Sequence, residues 1–73
     1  MSESGWVICV EDDMYLEDTD SYDSIDDIFY AHFFYEKEEA EEELEMIIKK
    51  NLMGHGITKY EIKEVELIIK LVK

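Results

Sequence analysis

The chain has 73 residues, one cysteine, no proline and a formal net charge of -13 at pH 7. This length fits one domain spanning residues 1–73, and a hydrophobic content of 47% predicts a packed core and argues against a disordered chain. One cysteine excludes an internal disulfide, and no apolar run approaches the roughly 18 residues of a membrane span, so we expect a cytoplasmic protein with no signal peptide and no membrane partner.

The charge is distributed unevenly along the chain. Residues 1–45 carry 17 acidic residues and one lysine, a net charge of -16, whereas residues 46–73 carry three acidic residues and six lysines, a net charge of +3. Such an anionic surface repels nucleic acid and anionic lipid and attracts basic proteins. We therefore expect a basic protein partner and no direct binding to nucleic acid.

The first segments in chain order are an apolar strand and an acidic loop. Residues 1–5 have the composition of a short disordered lead, and Trp6-Val7-Ile8-Cys9-Val10 predicts a buried strand because it is short, apolar and β-branched. Residues 11–23 form a long acidic connection with an apolar island at residues 14–16. Ser24 and Asp27 approximate a capping box, so a short helix is expected to begin near Ser24.

The middle of the chain predicts a strand followed by the principal helix. Residues 28–35 hold five aromatic residues, which favours a strand, although their position before a strong helix former leaves a continuous helix open. Residues 36–53 predict an amphipathic helix. Its apolar stripe consists of Ala40, Leu44, Ile47, Ile48 and Leu52. Gly54-His55-Gly56 is expected to supply a left-handed C-cap.

The last segment, residues 57–73, predicts a long strand that also suggests a dimer. Its apolar residues change parity after Ile62, so a bulge is expected near residues 63–64. Seventeen extended residues would reach roughly 55 Å at ~3.3 Å each, more than the width of so small a domain. We therefore expect a homodimer through this strand. Its predicted interface residues are Val65, Leu67, Ile69 and Leu71.

These elements predict an α+β fold in the order β, acidic loop with a short helix, β, α, β. The predicted sheet is small, with about three strands, and one amphipathic helix packs against it. The subunit alone would be marginally stable at this size, and a second copy would add to its core.

Two acidic segments form the candidate partner-binding surface. Residues 36–45 hold seven glutamates in ten residues, or roughly 2 Å of helix axis per carboxylate, close to the ≈ 1.7 Å per phosphate charge of duplex DNA. The loop acids would add a second ridge and so imitate the second phosphate strand, although a mobile acidic loop is an equally good interpretation. The predicted partner-binding residues are Glu11, Asp12, Asp13, Glu17, Asp18, Asp20, Asp23, Asp26, Asp27, Glu38, Glu39, Glu42, Glu43 and Glu45.

No pattern in the sequence indicates catalysis or a cofactor. The serines, the cysteine and the histidines form no nucleophile and base arrangement, so we expect no enzyme and no catalytic residue. An EF-hand alignment that begins at Asp18 fails at three positions, which leaves only weak binding of a divalent cation. The cysteine and the two histidines lack the spacing of a transition-metal site, so no metal site is predicted.

The segments EDDMYLEDTDSYDSIDD and EKEEAEEELE, set in a small α+β frame, resemble the small acidic bacteriophage proteins that imitate DNA. One group of those proteins inhibits the bacterial histone-like protein HU as a dimer. The resemblance implies a protein of the host cytoplasm whose Asp and Glu carboxylates occupy the DNA-binding surface of a basic host protein, with HU as the leading target.

Two other functions remain open on the sequence alone. The first is an acidic inhibitor or adaptor of RNA polymerase, a nuclease or a restriction enzyme, in which aromatic contacts by Tyr30, Phe34 or Tyr35 dominate. The second is a weak divalent-cation binding module built on the loop aspartates.

Overall fold

A computed structural model describes residues 2–54 and 56–68 of the chain. The described elements are four strands, one short 3-10 turn and one α-helix. In chain order they are β1 (Ser2–Val10), β2 (Met14–Leu16), β3 (Ser24–Ile25), the 3-10 turn (Ile28–Tyr30), α1 (Lys37–Lys50) and β4 (Tyr60–Ile68). The fold is a small α+β domain, as the sequence predicts, with four strands in place of about three.

The sheet is antiparallel, with the strand order β3-β2-β1-β4. Its longest pair joins β1 to β4 without interruption, from Ser2 opposite Ile68 to Val10 opposite Tyr60. Because every step along one strand matches one step along the other, the bulge expected near residues 63–64 is absent. The same pairing corrects the expectation of a disordered lead, since residues 2–5 bond to β4 as part of β1.

One face of the sheet forms the main core beneath α1. Ile8 and Val10 of β1 are buried there and pack in one cluster with Ala40 and Ile47 of α1. Tyr60 and Ile62 of β4 lie at the edge of this cluster and are half-buried. Burial of one isoleucine side chain stabilises the fold by about 1.5–3 kcal/mol, so these few residues carry much of the stability.

The opposite face of the sheet is partly covered by residues 28–33. Val7 and Cys9, which alternate with the core residues of β1, are both buried on this face. Phe33 packs against Gly5, where an added Cβ would overlap the Phe33 ring and lie 2.6 Å from the carbonyl oxygen of Phe34. The close approach of this segment therefore requires glycine at position 5.

The strand predicted over residues 28–35 is wrong except for a single bridge. Phe34 pairs with Trp6 through two backbone hydrogen bonds of 2.8 Å, which place it at the edge of the sheet. Neighbouring β2 already occupies that edge of β1 at Cys9 and Val10. The start of the segment forms the 3-10 turn Ile28–Tyr30 instead, and Phe34 is its one residue that pairs with β1 in the described part of the chain.

The predicted short helix exists but begins four residues later than expected. Ser24 lies in β3, and the 3-10 turn starts at Ile28. Asp27 is its N-cap, with a side-chain carboxylate that accepts the Phe29 N–H at 2.9 Å. The N-terminal backbone N–H groups of a helical turn need such an acceptor, and here Asp27 supplies it.

The principal helix is confirmed, with an earlier end than predicted. Asn51 adopts a left-handed conformation with φ of 54°, and its backbone N–H bonds to the carbonyls of Ile47 and Ile48. The left-handed C-cap is therefore Asn51 and not the glycine pair, although Gly54 and Gly56 also have positive φ in the following loop. His55 lies outside the described residues.

The apolar stripe of the helix is narrower than predicted. Ala40 and Ile47 are fully buried, and Leu44 is half-buried. Ile48, by contrast, is 56% exposed. Ala40 and Ile47 are seven residues apart, close to two full turns, so Ile48 lies about 100° away from the line of contact with the sheet.

Candidate functional site: an acidic surface

The predicted partner-binding residues all lie at the surface. Among the described residues no charged or polar side chain is buried. The structure sorts these acids into two groups, those that contact the protein itself and those that do not. The second group is what a partner could use at no cost to the fold.

The helix supplies a continuous ridge of exposed glutamates. Glu38, Glu39, Glu42 and Glu45 are all exposed, and the structure shows no internal hydrogen bond or ion pair for their carboxylates within residues 2–54 and 56–68. Glu36 and Glu41, which were not among the predicted site residues, are exposed as well. We call the six together the helix ridge.

Glu43 is the exception on the helix. Its carboxylate accepts a hydrogen bond of 2.8 Å from the Tyr22 hydroxyl, and both side chains are half-buried. This bond raises the pKa of Tyr22, with burial and the Glu43 charge adding to the effect. It also ties the acidic loop to α1, so the loop acids and the helix ridge belong to one surface.

The turn after β1 uses two of the predicted acids internally. Glu11 accepts hydrogen bonds from the backbone N–H groups of Thr58 and Lys59. These two bonds, that of Thr58 first, lower the pKa of Glu11. Asp12 forms an ion pair of 2.5 Å with Lys59. Asp13, next in the turn, is exposed and has no hydrogen bond or ion pair among the described residues.

The loop between β2 and β3 is ordered by its own aspartates. Asp18 accepts the backbone N–H of Asp20 at 2.7 Å, which lowers the Asp18 pKa. The Ser21 hydroxyl lies within hydrogen-bond distance of the Asp18 and Asp23 carboxylates, at 3.1 Å and 2.9 Å, and shares its one proton between them. Backbone bonds from Tyr22 N–H to Asp18 and from Glu17 N–H to Asp23 close the loop. The loop has a defined conformation in which these acids act as structural acceptors.

Two classes of predicted acid therefore emerge. Those that hydrogen-bond or ion-pair within the fold are Glu11, Asp12, Asp18, Asp23, Asp27 and Glu43. Those whose carboxylates have no such contact in the described part are Asp13, Glu17, Asp20, Asp26, Glu38, Glu39, Glu42 and Glu45. Half of the second class lies on α1, where helical geometry fixes the spacing.

An aromatic patch lies next to an open cavity on the face of the sheet away from α1. Phe29 is 83% exposed, and Tyr30 and Tyr35 are each 66% exposed. The cavity has a volume of about 310 Å³. Its lining residues are Val7, Ile28, Phe29, Ala31, Phe33, Val65 and Glu66. The sequence predicted Tyr30 and Tyr35 as partner contacts, but Phe34 is buried in the core.

Of the four predicted dimer residues, Val65 is the one whose backbone and side chain both lie in the described part of the chain. It is half-buried and lines the cavity. Ile69, Leu71 and the side chain of Leu67 lie outside the described part of the chain.

The fold and surface together define a small acidic α+β domain. No protein-family model, curated protein or solved structure matches the chain significantly. The helix of the described chain is too short and too polar to cross a membrane. In residues 2–54 and 56–68, no group of three or more His, Cys, Asp or Glu side chains is arranged to hold a metal ion.

Proposed function

We propose that the protein is a non-enzymatic DNA mimic that binds a basic DNA-binding protein in the bacterial cytoplasm and blocks its access to DNA. The nucleoid protein HU is the first target to test. The observation that carries the proposal is the helix ridge, a row of exposed carboxylates that the fold itself does not use.

The spacing of the ridge supports this function. The helix rises ~1.5 Å per residue, so the glutamates of residues 36–45 present charge at roughly the linear density of duplex DNA. Glutamates four residues apart repel one another by a few tenths of a kcal/mol, a cost that interspersed lysines would remove. Residues 36–45 contain a single lysine, Lys37, so most of this repulsion is not relieved.

The hydrogen bond between Tyr22 and Glu43 supports a second row of carboxylates, those of the loop, beside the helix ridge. Because it holds the loop against α1, the acids around Asp20 lie beside the helix that carries the ridge. In the proposed complex, lysines and arginines that normally contact phosphates would contact these carboxylates. Preorganised acceptors lower the ordering cost of such binding.

The test is displacement of a labelled DNA duplex from HU, measured by fluorescence anisotropy at low salt. The wild-type protein should release the DNA. The double variant E38Q/E42Q should need about five- to thirtyfold more protein, because two exposed ion pairs of ~0.5–1 kcal/mol each are lost.

The matched control is E64Q/E66Q, which changes the net charge equally but on β4, where both glutamates are exposed. It should need less than about twofold more protein than the wild type. Failure of the wild-type protein to displace DNA from HU and from other basic DNA-binding proteins would refute the proposal. Equal effects of the two double variants would show that the helix ridge is not the binding surface.

The exposed aromatic patch favours a second candidate function, an adaptor or inhibitor that binds RNA polymerase, a nuclease or a restriction enzyme away from its DNA channel. Exposed Phe29, Tyr30 and Tyr35 are the kind of large side chains that dominate protein interfaces. In that case, Tyr30→Ala or Tyr35→Ala should reduce capture of the target more than E38Q/E42Q does. The reverse order would favour the DNA mimic.

A further inference from the structure

The outer edge of β4 is open to another strand. β4 ends the strand order and has nine residues, whereas β3 at the opposite end has two. Within the described ranges no segment pairs with this outer edge of β4. A sheet edge of this length presents a row of backbone N–H and C=O groups that readily accept another strand.

The hydrogen bonds of Trp6 show which β4 residues direct their backbone groups outward. The N–H and C=O of Trp6 both bond to Phe34, on the side of β1 away from β4. Trp6 lies opposite Glu64, so Glu64 likewise directs its N–H and C=O away from β1. The pattern repeats every second residue. Tyr60 and Ile62 therefore also present their backbone groups at the open edge.

Charge selects one symmetric register for a second copy of β4. A two-fold axis normal to the sheet brings residues of the same face opposite each other. Only some two-fold axes pair at least five residues of β4 with the second copy. Among these, an axis at Lys63, Glu64 or Glu66 places that charged residue opposite the same residue of the second copy. An axis at Val65 places Glu64 opposite Glu66 of the second copy. Like charges in direct opposition destabilise a strand pair.

An axis at Ile62 has none of these conflicts. It places Glu61 opposite Lys63 of the second copy, and Lys63 opposite its Glu61. These are non-hydrogen-bonded positions, where opposed Cα atoms are about 4.5 Å apart and side chains come closest. On the other face Ile62 meets its own copy, beside the half-buried edge of the core.

We propose that two copies of the protein pair through β4 about a two-fold axis at Ile62. The result is a continuous eight-stranded antiparallel sheet with both helices on the same face. The paired residues are then 60–64, at the start of β4. The apolar pattern of the sequence instead predicts contacts further along the chain, by Val65, Leu67, Ile69 and Leu71.

The charge distribution supports a second copy as the occupant of this edge. Residues 60–64, which the ladder would pair, have a net charge of only -1, whereas residues 1–45 have a net charge of -16. Two copies that meet through their acidic parts would repel each other, whereas β4 alternates glutamate with lysine at its start. This inference does not depend on the DNA-mimic proposal, because it concerns the protein alone.

The test is sedimentation velocity over a concentration series, on the full chain without any partner. The wild type should be a dimer that dissociates on dilution. E61K and K63E each turn both ion pairs into like-charge pairs and should raise the dimer dissociation constant about tenfold or more. The double variant E61K/K63E restores opposite charges and should return the constant to within about threefold of the wild type.

Circular dichroism shows whether each variant is folded. Should a reversal variant fail to fold, the neutral variants E61Q and K63Q replace it, each with an expected weakening of about threefold. A wild-type protein that stays monomeric up to its solubility limit overturns the proposal. So does a dimer that E61K and K63E leave unchanged, or one that the double variant fails to restore.

Discussion

Carboxylates that look alike in the sequence differ in what they contact. Glu11 accepts two backbone N–H groups from the segment before β4, whereas Asp13 has no hydrogen bond or ion pair in the described residues. Protonation would weaken the Glu11 contacts, so its pKa is lower than the ordinary value of 4.5. Glu11 thus joins the turn after β1 to residues 58 and 59.

We predict that Glu11→Gln lowers the melting temperature at neutral pH, because a neutral amide accepts weaker hydrogen bonds than a carboxylate. A lowered pKa in the folded state contributes stability that is present above 4.5 and is lost as the pH falls through the lowered value. The difference in melting temperature between wild type and E11Q should therefore be largest near neutral pH and disappear in strong acid. Thermal unfolding followed by circular dichroism across that pH range measures it.

The control for E11Q is Asp13→Asn, which removes one charge from the same turn without removing a contact. Its melting temperature should equal or exceed that of the wild type, since like-charge repulsion falls. Equal melting temperatures for E11Q and D13N at neutral pH would show that the Glu11 contacts do not stabilise the fold.

At the scale of single elements, α1 offers two adjacent isoleucines in opposite environments. Ile47 is fully buried against the sheet, and Ile48 is 56% exposed. Ile47→Ala should lower the free energy of unfolding by about 2–5 kcal/mol, because it removes buried methyl groups and leaves a cavity. Chemical denaturation measures the change.

Ile48→Ala makes the identical substitution one position along the helix and should change the free energy of unfolding by about 0.5 kcal/mol or less. A large cost at Ile48 with a small cost at Ile47 would mean that the helix is rotated relative to the sheet. Since Ala40 and Ile47 share one contact line, such a result would also move the exposed ridge to another face.

The elements differ in how far local sequence determines them. The helix and the strand at Trp6–Val10 could be predicted, because an apolar stripe and a short β-branched run need no distant partner to be recognised. Residues 28–35 could not, since their strand propensity competes with the 3-10 turn that Asp27 caps and with the single bridge of Phe34 to Trp6 on β1. That competition depends on contacts distant in sequence.

The extended pairing of β1 is a second case of this kind. Ser2 to Gly5 are polar or flexible and show no strand pattern, yet they pair with residues 65–68. Gly5 is needed there because Phe33 packs where a side chain would stand. Neither fact is visible without knowing which segments meet.

For the whole molecule, the sequence predicts the acidic surface but not the roles within it. The count and helical spacing of glutamates show that residues 36–45 are a charged ridge. That Glu43 bonds Tyr22 and Glu11 bonds Thr58 follows from tertiary contacts that no spacing indicates. Tyr22, missed as a site residue, is the link that makes loop and helix one surface.

In the proposed complex, the acidic surface binds a basic protein as DNA does. Exposed carboxylates that replace phosphates should give fast, electrostatically steered binding that added salt screens. Neutral aromatic contacts would instead give an affinity that depends little on salt.

The most direct measurement is the affinity of the wild-type protein for HU, by isothermal titration calorimetry across a series of salt concentrations. We predict tight binding at low salt and a dissociation constant that rises steeply with each increase in salt. If the protein bound neither HU nor other basic DNA-binding proteins at low salt, or bound them with an affinity unchanged from low to high salt, its acidic surface would not act as a DNA mimic.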